Sequence, residues 1–536
     1  MKRHLFRFAF PGLLLLMFFS CKKENDNPQW DVQVLGPIAH TTLTLDQITG
    51  KEHTVAGTDD KLSFRYDTII GNLSFNSIYQ VPDTTIPTVV LFPPFSAILN
   101  PGTPFSSNSN NVEVGANGVY MKKAIVGSGT IRIQVKNSLR SKVHFTYTIP
   151  KATKNGVPFA AAMVADSGST ATPVTVTQDF DFSGYTIDLT GTTGGAYNTV
   201  SYNVEARADS FGYPFPVNAS DTIINLNATL IGITPVYAKG YLGQSTISDA
   251  QDIDIGIGGI WQSGTLALES ATMDIDFTNY IGADIQAHAN LLSSYNANTA
   301  NTVALTGTTF IGQAININRA SEPFPGGSGT GSISPTVTSI HLDNSNSNIK
   351  ALVENLPDLL SYNVDLKLNP LGNISGYNDF VYSDKLVSSH LLIDVPLKMG
   401  ASDLLLVDTT DLNINGTTDL SSIGTSTITM VAKNSFPFDV TLQMFLLDEN
   451  YVVIDSLFSP DLIRSGTLDG NYIVTSATET RIKIPVPERK RDHLQQAKQL
   501  VVHALFNTMN YPQTIQLYKS YHLDLKFIAD GIYSIR

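Results

Sequence analysis

The chain of 536 residues has one cysteine, two tryptophans and little charge. Each scarcity excludes something. A single cysteine, Cys21, cannot form an internal disulfide, so the body is not stapled the way small secreted domains are. Charged residues make up 15% of the chain, well below the usual quarter, and the net charge is −13 with a pI near 5.2. Nucleic acid calls for a basic face, and this chain has none to offer. Beyond the N-terminus no second run of roughly 18 apolar residues occurs, so no further segment reads as a membrane-spanning helix. Catalytic signatures are missing too. There is no G-x-S-x-G and no H-E-x-x-H, and the ten histidines are scattered. The chain reads as a non-enzyme.

What is present begins at the first residue. Lys2, Arg3 and Arg7 give a basic head, and Phe8 to Phe19 is an almost unbroken apolar run. Ser20 is small, and Cys21 follows it directly. A basic start, a short apolar middle and a small-residue cleavage point form an export signal, and the run is short of the roughly 20 residues a span needs. Ending on cysteine, the segment resembles the lipobox signal of bacterial lipoproteins. That resemblance implies lipidation of Cys21 after removal of residues 1–20. Lys22-Lys23-Glu24-Asn25-Asp26-Asn27-Pro28 resembles the charged export tag of Gram-negative surface lipoproteins. The implied location is the outer membrane, lipid-anchored and facing outside, on a tether of residues 21–30. The membrane is then one partner through the lipid, with envelope proteins or glycans as others, and no cofactor beyond the covalent lipid.

The body is rich in Ser, Thr, Asn and Gly and alternates apolar with polar residues, so the expected fold class is all-β. One block occurs three times: Thr130-Ile131-Arg132-Ile133-Gln134-Val135-Lys136-Asn137, then Thr272 to Asn279, then Thr427 to Asn434. Each has threonine, apolar residues at alternate places, and asparagine seven positions on. Apolar residues resume beyond each asparagine, which predicts a β-hairpin or bent strand with Asn as the turn residue. A second block, Ser201-Tyr202-Asn203-Val204, matches Ser361-Tyr362-Asn363-Val364 and Ser520-Tyr521-His522-Leu523 at a period of about 160 residues. The reading is three related sandwich-like modules in tandem, with boundaries at 31–209, 210–369 and 370–536. The first block loosely resembles β-sandwich repeats of immunoglobulin-like extracytoplasmic domains, a likeness that transfers no functional residue.

Two helices are expected among the strands, Ser347 to Leu360 and an amphipathic one over Glu488 to Phe506. Ser106 to Gly118 reads as a polar loop, and Pro325 to Gly331 as a Gly-rich loop without the lysine of a phosphate-binding loop.

Three acid pairs stand at strand spacing: Asp179 with Asp181, Asp252 with Asp254, and Asp274 with Asp276. Two carboxylates at i and i+2 face the same way, as a glycosidase or calcium site requires, and as any wet strand face also presents. The best metal candidate is Asp411, Asn413 and Asn415 before Gly416, which matches the opening of a calcium loop. Its twelfth position is Ser422 instead of glutamate, and a strand ending in an Asn-Gly turn explains the stretch equally well. The expected function is a structural, adhesive or binding role for a surface lipoprotein. Alternatives are carbohydrate capture beside a nutrient transporter, where two tryptophans are few but 21 tyrosines could serve, and binding of an apolar ligand between curved sheets.

Overall fold

A computed structural model describes residues 30–44, 53–72, 81, 83–91, 96–115, 118–217, 222–255, 261–307, 309–324, 333–411 and 423–535. The export segment 1–20, Cys21 and the tether up to residue 29 lie outside the described residues, as do 325–331, Asn413 and Asn415. The fold is all-β, with sandwich-like packing of antiparallel sheets.

Strands in three sets of eight pair in one recurring order. In the first, Thr84–Leu91, Thr222–Tyr241, Tyr120–Asn137 and Val174–Asp181 lie side by side. Pro104–Glu113, Thr199–Ala208, Val143–Lys154 and Val157–Ala165 form the second row. In the second set the corresponding rows are Leu62–Asn72, Val387–Pro396, Thr272–Asn279 and Thr336–Leu342, and Ser245–Asp254, Leu359–Leu368, Ile285–Asn296 and Ala314–Ile317. In the third they are Trp30–Thr44, His522–Ile535, Ile423–Asn434 and Thr478–Val486, and Lys398–Asp411, Gln499–Asn507, Asp439–Leu447 and Val453–Ile463.

These sets interleave along the chain, so they do not follow the boundaries 31–209, 210–369 and 370–536. Trp30–Thr44 pairs with His522–Ile535 at the other end of the sequence. The whole first set lies between the two leading strands of the second. Two compact units result, one from Met1–Leu62, Ile257–Glu269 and Leu397–Arg536, the other from Ser63–Gly256 and Ser270–Pro396. The second-block match at Ser520 leads into the strand His522–Ile535, which pairs with Thr427 to Asn434. The counterpart of the Ser201 and Ser361 strands is Gln499–Asn507.

Each Thr-to-Asn block is a strand buried on alternate residues. Met273, Ile275, Phe277 and Asn279 are all at most 4% exposed. The asparagine is not the turn of a hairpin, because the strands before and after it pair with other partners. It is a corner that carries the chain from one row to the other, and all three corners are bonded alike. The Nδ2 groups of Asn137, Asn279 and Asn434 donate to the carbonyls of Ser141, Ala283 and Phe438, four residues on. They also donate to Asp166, Asn318 and Arg464 on the returning chain, at 2.9, 2.9 and 3.0 Å. Each Oδ1 accepts the N–H two residues on, from Leu139, Ile281 and Phe436. The carbonyls of those three residues then accept from Gly168, Ala320 and Gly466. One side chain thus satisfies three backbone groups that the corner would otherwise bury unpaired.

Three local expectations are corrected. Residues 104–113 form a strand, because the Ser/Asn stretch pairs along its length with Thr199–Ala208. The first helix is only Ile349–Glu354. The second is Glu488–Gln496, after which Gln499–Asn507 is a strand that buries Leu500, Val502, Ala504 and Phe506. An apolar run of that length satisfies either period, and pairing on both sides decides for the strand. His503 is therefore on a strand and His493 on the helix. Lys490, in the basic cluster, donates from Nζ to the Leu457 carbonyl at 2.6 Å.

Candidate ligand-binding cavity

The second sandwich holds a cavity of about 200 Å³ between its two rows of strands, partly open to solvent. Period two puts Ile275, Phe277 and Leu391 inward from one row and Leu360, Val364 and Leu366 inward from the other. Small residues at Ala289 and Gly71 help leave the space unfilled. Engineered apolar cavities of about 150 Å³ stay dry and take up benzene, so this volume suits one ring or a short alkyl segment.

Polar groups gather at one place in this lining. Asp249 lies on the leading strand Ser245–Asp254, at an inward position between Ile247 and Ile253. Tyr362, on the neighbouring strand Leu359–Leu368, donates its hydroxyl to Asp249 Oδ2 at 2.9 Å. Burial first, then the adjacent carboxylate, raises the Tyr362 pKa well above the usual phenol range, so the hydroxyl keeps its proton and acts as a donor. Gln251 Nε2 donates to Asp249 Oδ1 at 3.2 Å. Gly71, on the other leading strand, has φ +69, and a Cβ there would lie 3.2 Å from Asp249 Oδ2 and 3.8 Å from the Tyr362 hydroxyl. Only glycine holds that backbone comfortably and leaves the carboxylate uncrowded. At another point between the two leading strands, the Tyr66 hydroxyl donates to the Asp254 carbonyl at 3.1 Å.

The acids singled out from the sequence lie elsewhere. Asp179 forms a two-pronged bond with Arg132, and Asp181 accepts from Ser183. Asp252 and Asp254 are exposed, on a face opposite to Asp249. Asp274 faces outward and pairs with His341 Nδ1 at 2.6 Å, and that hydrogen bond raises the histidine pKa against a smaller desolvation effect. Asp411 ends its strand and accepts from Gln499 at 3.3 Å. Among the described residues no three of His, Cys, Asp or Glu come together to hold a metal. Asp249 and Tyr362 were the residues missed. An acid on the same strand face as Ile247 and Ile253 is the available sign for Asp249.

A second aromatic feature lies within the same unit. Tyr197 and Tyr377 stack at 4.3 Å between ring centroids, and Tyr120 lies within 6.3 Å of Tyr197, Tyr241 and Tyr377. Tyr120 is 44% exposed, and Lys122 Nζ sits 5.8 Å from the Tyr377 ring.

No family model matches the chain, and no curated protein matches it. Among solved structures it is similar to a crystal structure of a "putative secreted protein" from Parabacteroides distasonis ATCC 8503. The identity is 14% and the TM-score 0.29, over 53% of this chain and 82% of that one.

Proposed function

We propose that the protein is an exported, lipid-anchored, non-catalytic binding protein whose second sandwich takes a small apolar ligand between its sheets. The apolar cavity with one polar corner supports this reading, since ligand sites are mostly apolar concavities with a few convergent polar groups. A neutral apolar dye, N-phenyl-1-naphthylamine, is expected to gain fluorescence on binding the full chain, with one ring in the cavity and the others at its open side. Val364→Trp fills the cavity and should weaken that binding at least about tenfold. Ile275→Phe, entering from the opposite row, serves as the second variant if the first fails to fold. Undiminished dye binding in a folded cavity-filled variant overturns the proposal.

The four-tyrosine cluster favours a second reading, carbohydrate capture, because an exposed ring offers a flat apolar face with a polar tip. Retention of the chain on immobilised polysaccharide that Tyr120→Ala abolishes would support it.

The anchor is tested apart from the ligand. Cys21→Ser removes the acyl acceptor, and several acyl chains at roughly 0.8 kcal/mol per buried methylene would otherwise hold the protein on the membrane. The variant should move from the membrane fraction to the soluble fraction. If it still sediments with membranes, the lipoprotein reading fails.

A further inference from the structure

We infer that the ligand of this cavity carries a cationic nitrogen, an ammonium or protonated amine on a small apolar body. The inference rests on the cavity being a binding site. It comes from what the lining contains and what it lacks. Among the described residues that line the space, Asp249 is the one charged side chain, and none is a lysine, arginine or histidine. Asp249 forms no ion pair with any described residue; its two partners are the neutral Tyr362 hydroxyl and the Gln251 amide. A carboxylate drawn partly out of water into an apolar wall is costly unless a charge answers it. The protein leaves that place open.

The alternatives for the ligand's polar end fit less well. A carboxylate or phosphate would meet Asp249 as a like charge. A neutral acceptor would have to compete with Asp249 for the one hydroxyl hydrogen of Tyr362, which is already donated at 2.9 Å. An ammonium brings three donors. It can give one to Asp249 and another to the lone pairs of the Tyr362 oxygen without breaking the bond between them. Gly71 supplies the room. Any side chain there would start 3.2 Å from the carboxylate oxygen, so its absence keeps that side approachable. The apolar body then lies against Phe277, Leu366 and Leu391.

Calorimetric titration of the purified chain at pH 7 with octylamine, 1-octanol and octanoate, backed by displacement of N-phenyl-1-naphthylamine, separates the outcomes. Octylammonium should bind at least about tenfold more tightly than octanol, with octanoate weakest, and its advantage should shrink as salt rises. Asp249→Asn should reduce the amine-over-alcohol preference, read as the ratio of the two affinities within the variant, to under about threefold. Tyr362→Phe keeps the carboxylate and should keep most of the preference. If the dye binds but amine and alcohol bind alike, or Asp249→Asn leaves the preference intact, the head-group inference is overturned and the cavity reading stands. If neither the dye nor any of the three probes binds, the cavity reading itself is overturned.

Discussion

Asn434→Ala is expected to lower the unfolding free energy of the sandwich that carries it by about 3–5 kcal/mol, and Asn137→Ala and Asn279→Ala should do the same in theirs. All three side chains are fully buried, at 0% exposure. Removing Asn434 leaves the Phe438 and Arg464 carbonyls and the Phe436 N–H without the partners they have at 2.8 to 3.0 Å. Each such buried backbone group costs about 1–3 kcal/mol when left unpaired, and some relaxation keeps the total below the plain sum. Asn434→Asp discriminates the cause. It keeps the acceptor but turns the two donated bonds into contacts between oxygens, so it should be at least as damaging as alanine. Urea unfolding followed by circular dichroism reads the effect. A loss below about 1 kcal/mol at all three corners would mean that the recurring bonds contribute little.

The corners also show what the sequence could and could not convey. Period-two alternation identified the Thr-to-Asn strands, because one buried face leaves a direct imprint on residue choice. The asparagine was recognisable as a strand terminator for the same reason. Its longer reach was not. The second acceptor is a backbone carbonyl 29, 39 or 30 residues downstream, and a carbonyl has no side-chain identity to search for. Interleaving was hidden likewise. Nothing in Leu62–Asn72 and Ser245–Asp254 marks them as companions, because what joins them is a shared sandwich and not resemblance. The apolar residues of Gln499–Asn507 satisfy both periods, so the sequence alone predicts helix there, and only the strand's two neighbours resolve the tie.

For the site the position is reversed. The paired acids drew notice by spacing alone, yet they occupy wet faces, where alternation places them by default. Asp249 is the one acid on the inward face of its strand, which it shares with Ile247, Gln251 and Ile253, so spacing between acids does not mark it. Tyr362 was noticed only as part of a recurring Ser-Tyr-Asn block. A void depends on how side chains from distant strands meet, so neither residue could be tied to a cavity before the strands were placed.

Glu322→Ala is the other substitution expected to be severe, at about 3–5 kcal/mol, with the lower end favoured because Lys239 retains some access to water. The Glu322 side chain is 2% exposed and that of Lys239 24%, with Nζ and Oε2 3.0 Å apart. Tyr382 donates its hydroxyl to Oε1 at 2.9 Å, and its ring lies 4.8 Å from that of Tyr237. This pair occurs where the strand Asp379–Tyr382 joins the end of Thr222–Tyr241, binding the second sandwich to the first within one unit. Nearby, Arg319 reaches Asp284 at 3.0 Å and the buried Asp379 at 3.5 Å. Losing only the carboxylate leaves the Lys239 ammonium without its paired charge in a largely dry setting. Removing both charges should hurt less, since a buried ion pair often does no better than apolar residues of similar volume. Lys239→Met combined with Glu322→Leu should therefore recover about 2 kcal/mol or more of the loss in Glu322→Ala, read as a shift in the urea midpoint. If Glu322→Ala unfolds like the parent chain, the pair does not hold the junction. If the double variant is no better than Glu322→Ala, the cost lies in the shape of the glutamate and its bond to Tyr382, because removing the stranded charge would have relieved nothing.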